Sequence, residues 1–176
     1  MKKTKSNAAD DRLFLVEGAR AVAAFLESPL KIDSVVALRR ETPSPAVAAL
    51  IDRAATRGLP IRWVDEGHAR RYFATKNPQG IGLRVERPAD RPAEEMTVGA
   101  RRLLVLDGLN DPGNAGTLVR TAYLLGWDAV LATDGSVSFW SEKTVRASAG
   151  ALGFITGLTQ PTPEDLQRSA AVHYDL

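Results

Sequence analysis

Leu103–Ala122, LLVLDGLNDPGNAGTLVRTA, is the stretch around which the rest of the chain is organised. Leu103 to Asp107 reads as a short buried strand. Gly108 to Gly116 reads as a loop, because it holds Pro112 and three glycines. Thr117 to Leu125 is apolar at helical spacing (Leu118, Ala122, Leu125) and stops at Gly126. Strand, glycine-rich loop and helix in that order present main-chain N–H groups and a helix N-terminus to an anionic or polar ligand. Two side chains with chemical reach lie inside it, Asn114 and Arg120. The competing reading is an ordinary strand-to-helix turn, since Gly, Asn and Pro are common turn residues.

Composition excludes more than it assigns. The chain has 176 residues, enough for one or two small domains with a real core. With 44% hydrophobic and 25% charged residues it reads as globular. The absence of cysteine removes disulfides, thiol nucleophiles and cysteine metal sites. His68 and His173 have no ligand-like spacing, so no metal is expected. No apolar run spans a membrane and no signal peptide follows the basic start, so the default compartment is cytoplasmic. The net charge is only +2. Arginines nevertheless recur in pairs at Arg39–Arg40, Arg70–Arg71 and Arg101–Arg102, either a phosphate-binding face or a solvated surface.

From the start, residues 1–11 form a polar tail expected to be flexible. Leu13 to Val16 reads as a strand and Ala19 to Leu26 as a helix ended by Ser28–Pro29. Ile32 to Leu38 is β-branched and reads as a strand. Ser44–Pro45 opens a helix, and Pro60 to Val64 alternates as a strand. Asp65 is expected to cap a short helix carrying Arg70 and Arg71. ATKNPQ, 74–79, is a polar turn before the closing strand Gly80 to Val85. Residues 88–101 hold two prolines, mixed charge and little apolar content, and read as a linker. Beyond the organising stretch, Asp128 to Thr133 reads as a second parallel strand and Glu142 to Ser148 as a short helix. Gly150 to Ile155 reads as another strand, and a helix is expected to begin at Asp165. The boundaries are therefore 1–11, 12–87, 88–101 and 102–176.

The loop Gly113-Asn114-Ala115-Gly116 is not a dinucleotide fingerprint, which needs glycine where Ala115 stands, and no Gly-Lys-Ser/Thr makes it a Walker loop. Lys143 and Arg146 share one face of a short helix. Taken together, DGLNDPGNAGTLVRTA (107–122) and SEKTVRASAGALGF (141–154) closely resemble the two first signature motifs of the SpoU (TrmH-type) RNA ribose 2′-O-methyltransferases of the SPOUT class. FLVEG (14–18) with Val22, and NPQGI (77–81), resemble that family's N-terminal substrate-binding domain, a small module like certain RNA-binding ribosomal proteins.

The resemblance implies an α/β chain. A small N-terminal α/β RNA-substrate-binding domain precedes a Rossmann-like parallel-sheet SPOUT methyltransferase domain. It implies methyl transfer from S-adenosylmethionine, without a metal, to a ribose 2′-hydroxyl of rRNA or tRNA, in a homodimer with no DNA or membrane partner. Asn114 and Arg120 fall at its catalytic positions, and Ser148, Gly150 and Leu152 at its cofactor-binding ones. Glu17, Arg39, Arg40, Lys76, Asn77, Lys143 and Arg146 are the expected RNA contacts. The family continues into a third motif that threads a knot and completes the donor pocket, and nothing after Gly157 resembles it. On this reading the methyltransferase domain is expected to be truncated and incomplete. A catalytically inactive RNA-binding module is the alternative function, and an unrelated small-ligand α/β protein the third.

Overall fold

The computed structural model describes residues 12–89, 91–155, 157–159, 162, 164 and 165. The tail 1–11 and nearly all of the helix expected from Asp165 lie outside them. The chain divides into two compact units, Met1–Pro88 and Ala89–Leu176.

In the first unit, β1 (Leu13–Glu17), β2 (Ile32–Leu38), β3 (Ile61–Val64) and β4 (Ile81–Glu86) form one sheet. Its order is β1-β4-β2-β3. The strand expected to close this unit instead lies in its middle, antiparallel to both neighbours, with Leu83 opposite Val16 and Val35. That placement explains why Ile81, Leu83 and Val85 are fully buried, since helices cover a face that an edge strand would leave wet.

Helix α1 (Ala19–Glu27) buries Val22, Phe25 and Leu26 at helical spacing, and Phe25 meets Phe14 edge to face at 5.8 Å. Burying each such side chain stabilises by about 1.5–3 kcal/mol. Helix α2 (Pro45–Thr56) starts as expected, with Pro45 in its first turn and Ser44 Oγ accepting from Val47 N. Its Arg53 and Arg57 reach back to Glu27 and the Leu26 carbonyl of α1. Asp65 does not cap the next segment. Glu66–Arg71 is a 3-10 turn, and the Asp65 carboxylate is taken by Arg39 at 3.2 Å.

The second unit holds a parallel sheet ordered β5 (Leu103–Leu106), β6 (Ala129–Ala132) and β7 (Gly157–Thr159). Three expectations shift here. The stretch read as a linker contains α3 (Ala93–Thr97), whose Ala93 and Met96 are buried in a helix packed against β6 and β7. Pro92, one of the two prolines of that stretch, immediately precedes the helix, its carbonyl accepting from Glu95 and Met96. The strand expected over Gly150 to Ile155 is a 3-10 turn at Ala151–Gly153. Positive φ at Ala149 (50°) and Gly150 (97°) breaks extension before it, and the strand proper begins at Gly157.

The third shift concerns the organising stretch. Helix α4 runs Pro112–Leu124, so most of the expected loop is helix. Asp111 caps it, with Oδ1 accepting from Asn114 N at 2.6 Å, and Pro112 sits in the first turn. Gly113 and Gly116 are helical residues rather than loop residues.

Candidate functional site

Gly116 decides how the two signature stretches sit. A Cβ there would lie 2.5 Å from the Thr144 carbonyl oxygen, 2.6 Å from Ala147 Cβ and 2.8 Å from Ser148 N. Real Cβ atoms do not tolerate such approaches, so only glycine lets α4 press against α5 (Glu142–Ala147). The first and second motifs are thereby one rigid frame. Ser141 caps α5 through Thr144 N, and Tyr123 of α4 stacks on Phe154 at 5.6 Å.

That frame stands at the carboxyl ends of parallel strands, where ligands of open α/β sheets bind. Loop 107–110 is stitched there to the residues after β6. Thr133 Oγ1 donates to Asp107 Oδ1 at 2.8 Å and accepts from Gly108 N at 3.0 Å. Ser136 Oγ donates to the Leu106 carbonyl and accepts from Leu109 N. Sequence reasoning missed Thr133 and Ser136. Their only signal is two hydroxyl residues just beyond the apolar run AVLA.

Asn114 and Arg120 are both exposed on α4. Six residues of helix put them about 9 Å apart along the axis and a third of a turn apart in azimuth. They do not share a helix face, although long helical side chains in general point back toward the N-terminus, where Asn114 stands. The α4 N-terminus is not open to an anion as the sequence suggested, because the Asp111 carboxylate already occupies it. Lys143 and Arg146 lie three apart on α5, both exposed.

Ser148, Gly150 and Leu152 are buried. Ser148 Oγ donates to the Val145 carbonyl at 2.7 Å, so its hydroxyl serves the turn. Gly150 is buried in a left-handed conformation, and Ala149 beside it is exposed.

In the first unit the C-terminal ends of β1, β2 and β3 and the start of β4 meet at one sheet edge. Every expected RNA contact of this unit is there, but three are engaged. Glu17 accepts from the main-chain N–H groups of Ala74 and Thr75 and from the Thr75 hydroxyl. Arg40 Nε pairs with Glu66 at 2.8 Å, and its Nη2 donates to the Pro78 carbonyl at 3.2 Å. Arg39 holds Asp65. Gln79, not anticipated as a functional residue, accepts from Ala19 N at 2.7 Å and caps α1 from across the sheet edge. Glu17, Arg40 and Gln79 therefore hold loop 74–80 at both ends. Lys76 and Asn77 are left exposed in that loop.

Residues 101–173 match the SpoU rRNA Methylase family, and residues 15–90 match the RNA 2′-O ribose methyltransferase substrate binding domain. The chain belongs to the SpoU rRNA methylase family. Among SpoU relatives, it is 31% identical over 147 residues to the 23S rRNA (guanosine(2553)-2′-O)-methyltransferase RlmP of Bacillus subtilis. That match covers 84% of this chain and 54% of RlmP, so the chain spans about half the length of that relative. An AdoMet-bound rRNA methyltransferase of Sinorhizobium meliloti superposes with a TM-score of 0.74 at 25% identity, over 94% of this chain and 60% of that one. The SpoU methyltransferase AviRb of Streptomyces viridochromogenes, at 22% identity, gives the same TM-score of 0.74 and 60% coverage of its chain, and shows the shared SpoU fold alone. Among the described residues of this SpoU chain, no helix is long and apolar enough to cross a membrane, and no acidic or histidine cluster is suited to a metal.

Proposed function

We propose that this chain recognises rRNA or tRNA and serves S-adenosylmethionine-dependent 2′-O-methylation of a ribose. The observation that carries the reading is the Gly116 contact, which makes one surface of the two signature stretches. Homodimeric action in the cytoplasm belongs to the same proposal. The homodimer is supported by the exposed apolar residues Val105, Tyr123, Leu124 and Leu125.

The donor supplies, when bound, a methyl group on a positively charged sulfur. The residues assigned to it fit as a main-chain turn. Ser148 and Leu152 are fully buried supports, and the left-handed Gly150 turns the backbone between them. None of the three carries a charge that would repel a sulfonium.

The Arg120 guanidinium offers N–H donors and no acceptor, so it is not the base. It grips the phosphate beside the target ribose through two parallel hydrogen bonds and stabilises the oxyanion that develops at the 2′-oxygen as the hydroxyl proton passes to solvent water. Asn114, about 9 Å along the helix, reaches the ribose from the other side and orients it. Lys143 and Arg146 contact flanking phosphates without reading sequence. In the first unit Lys76 and Asn77 make the RNA contact. Glu17, Arg39 and Arg40 shape the loop edge that presents it.

The test uses the full chain, methyl-labelled S-adenosylmethionine and unmodified rRNA, followed by digestion to nucleosides. Label on a 2′-O-methyl nucleoside is the expected result. Label on a base, or a folded chain that binds no S-adenosylmethionine by calorimetry, would overturn the reading.

A further inference from the structure

Beside the loop edge of the first unit lies a cleft of about 240 Å³ lined by Trp63, Val64, Asp65, His68, Arg71 and Tyr72. Its floor is firm, because Tyr72 packs on a buried cluster of Val36, Leu38, Val64, Ala69 and Phe73. Its wall is unusual. Trp63 stands on the edge strand β3 with 46% of its surface exposed, a large apolar ring left wet. Asp65, also lining the cleft, has one carboxylate oxygen paired with Arg39.

The volume is below the range of about 300–1,000 Å³ usual for small-molecule sites. It holds about eight waters at ~30 Å³ each, the bulk of one planar ring system. An aromatic platform with arginine and histidine at its rim suits a flat group joined to a phosphate. Single-stranded RNA is recognised this way, by splayed bases stacked on aromatic and guanidinium planes.

We infer that this cleft takes one unpaired base of the substrate RNA, stacked on Trp63, with Arg71 on the adjoining phosphate. The inference rests on the proposed function, since it supplies that substrate with a second point of attachment apart from the methyl-transfer surface. It also gives the substrate class a shape: an RNA with an unpaired base, not a continuous duplex.

Two probes test it on the full chain, a short single-stranded RNA bearing 5-iodouridine and an RNA duplex of the same length. Trp63→Ala weakens single-strand binding about tenfold, the effect of losing one stacked base. It leaves duplex binding within about twofold. Trp63→Phe retains most of the single-strand affinity, and photocrosslinks map to Trp63 or Tyr72. Equal single-strand affinity in wild type and Trp63→Ala, or crosslinks only to the second unit, overturns the cleft assignment while RNA binding stands. A wild-type chain that binds neither RNA overturns the functional reading and the inference together.

Discussion

Glu17, Arg40 and Gln79 in the first unit and Asn114, Arg120, Lys143 and Arg146 in the second all belong to signature stretches or to the expected RNA contacts. The first three end in hydrogen bonds to distant parts of their own fold. The last four project from helices into solvent. A signature polar residue is thus either a clamp that shapes a binding loop or a group offered to a ligand, and only its partners tell which. The first unit uses its polar signature to hold loop 74–80 so that Lys76, Asn77 and the neighbouring cleft are presented. The second uses a glycine to lock two helices together and leaves its polar groups outward.

The largest effect that can break this comparison lies in the helix lock. Gly116→Ala drives a Cβ into the α5 backbone and is expected to cost about 3 kcal/mol in chemical denaturation. Gly67→Ala meets nothing within 4 Å and changes stability by less than about 0.5 kcal/mol. Equal effects at the two positions would remove the lock. Glu17→Ala strands two loop N–H groups and a hydroxyl. It is expected to cost about 1–2 kcal/mol and to speed hydrogen exchange at Ala74 and Thr75. Unchanged exchange there would mean that Glu17 is not a clamp.

Smaller still is the effect of Lys143→Ala or Arg146→Ala. Stability stays within about 0.5 kcal/mol, and RNA affinity falls with a salt slope reduced by about one. The smallest effect is one of pH. The main-chain N–H groups of Arg102 and Arg101 hold the exposed Asp128 carboxyl below the usual carboxylate range. A depressed carboxylate contributes stability above its unfolded value and loses it as pH falls through the folded one. Wild type therefore loses slightly more stability than Asp128→Asn on acidification below pH ~4, measured by thermal unfolding across that range.

Much of the first unit was legible in the sequence because its signals are local. A short apolar run marks β1, β-branched residues mark β2, alternation marks β3, and Ser44–Pro45 marks the start of α2. The position of β4 was not legible, since sheet order depends on contacts far apart in the chain. In the second unit, glycine and proline misled. Pro92 immediately precedes a helix and Pro112 begins one, and Gly116 is a packing position inside a helix. The apolar run 150–155 resembles a buried strand, and only the left-handed backbone at Ala149 and Gly150 shows why it turns. Of the candidate site, the residues were legible and their partners were not. Glu17 meets Thr75 across 58 positions and Gln79 meets Ala19 across 60, separations that no periodicity encodes.

Methyl transfer to rRNA by Arg120→Ala and Arg120→Lys, read beside each variant's thermal midpoint, tests the central claim most directly. The account predicts midpoints equal to wild type, because Arg120 is exposed on α4. It predicts methylation reduced about 100-fold or more in the alanine variant, and most of that loss in the lysine variant, which keeps the charge but not the two-pronged grip. Near-normal turnover by Arg120→Lys, or activity that falls only in step with the midpoint, would contradict it.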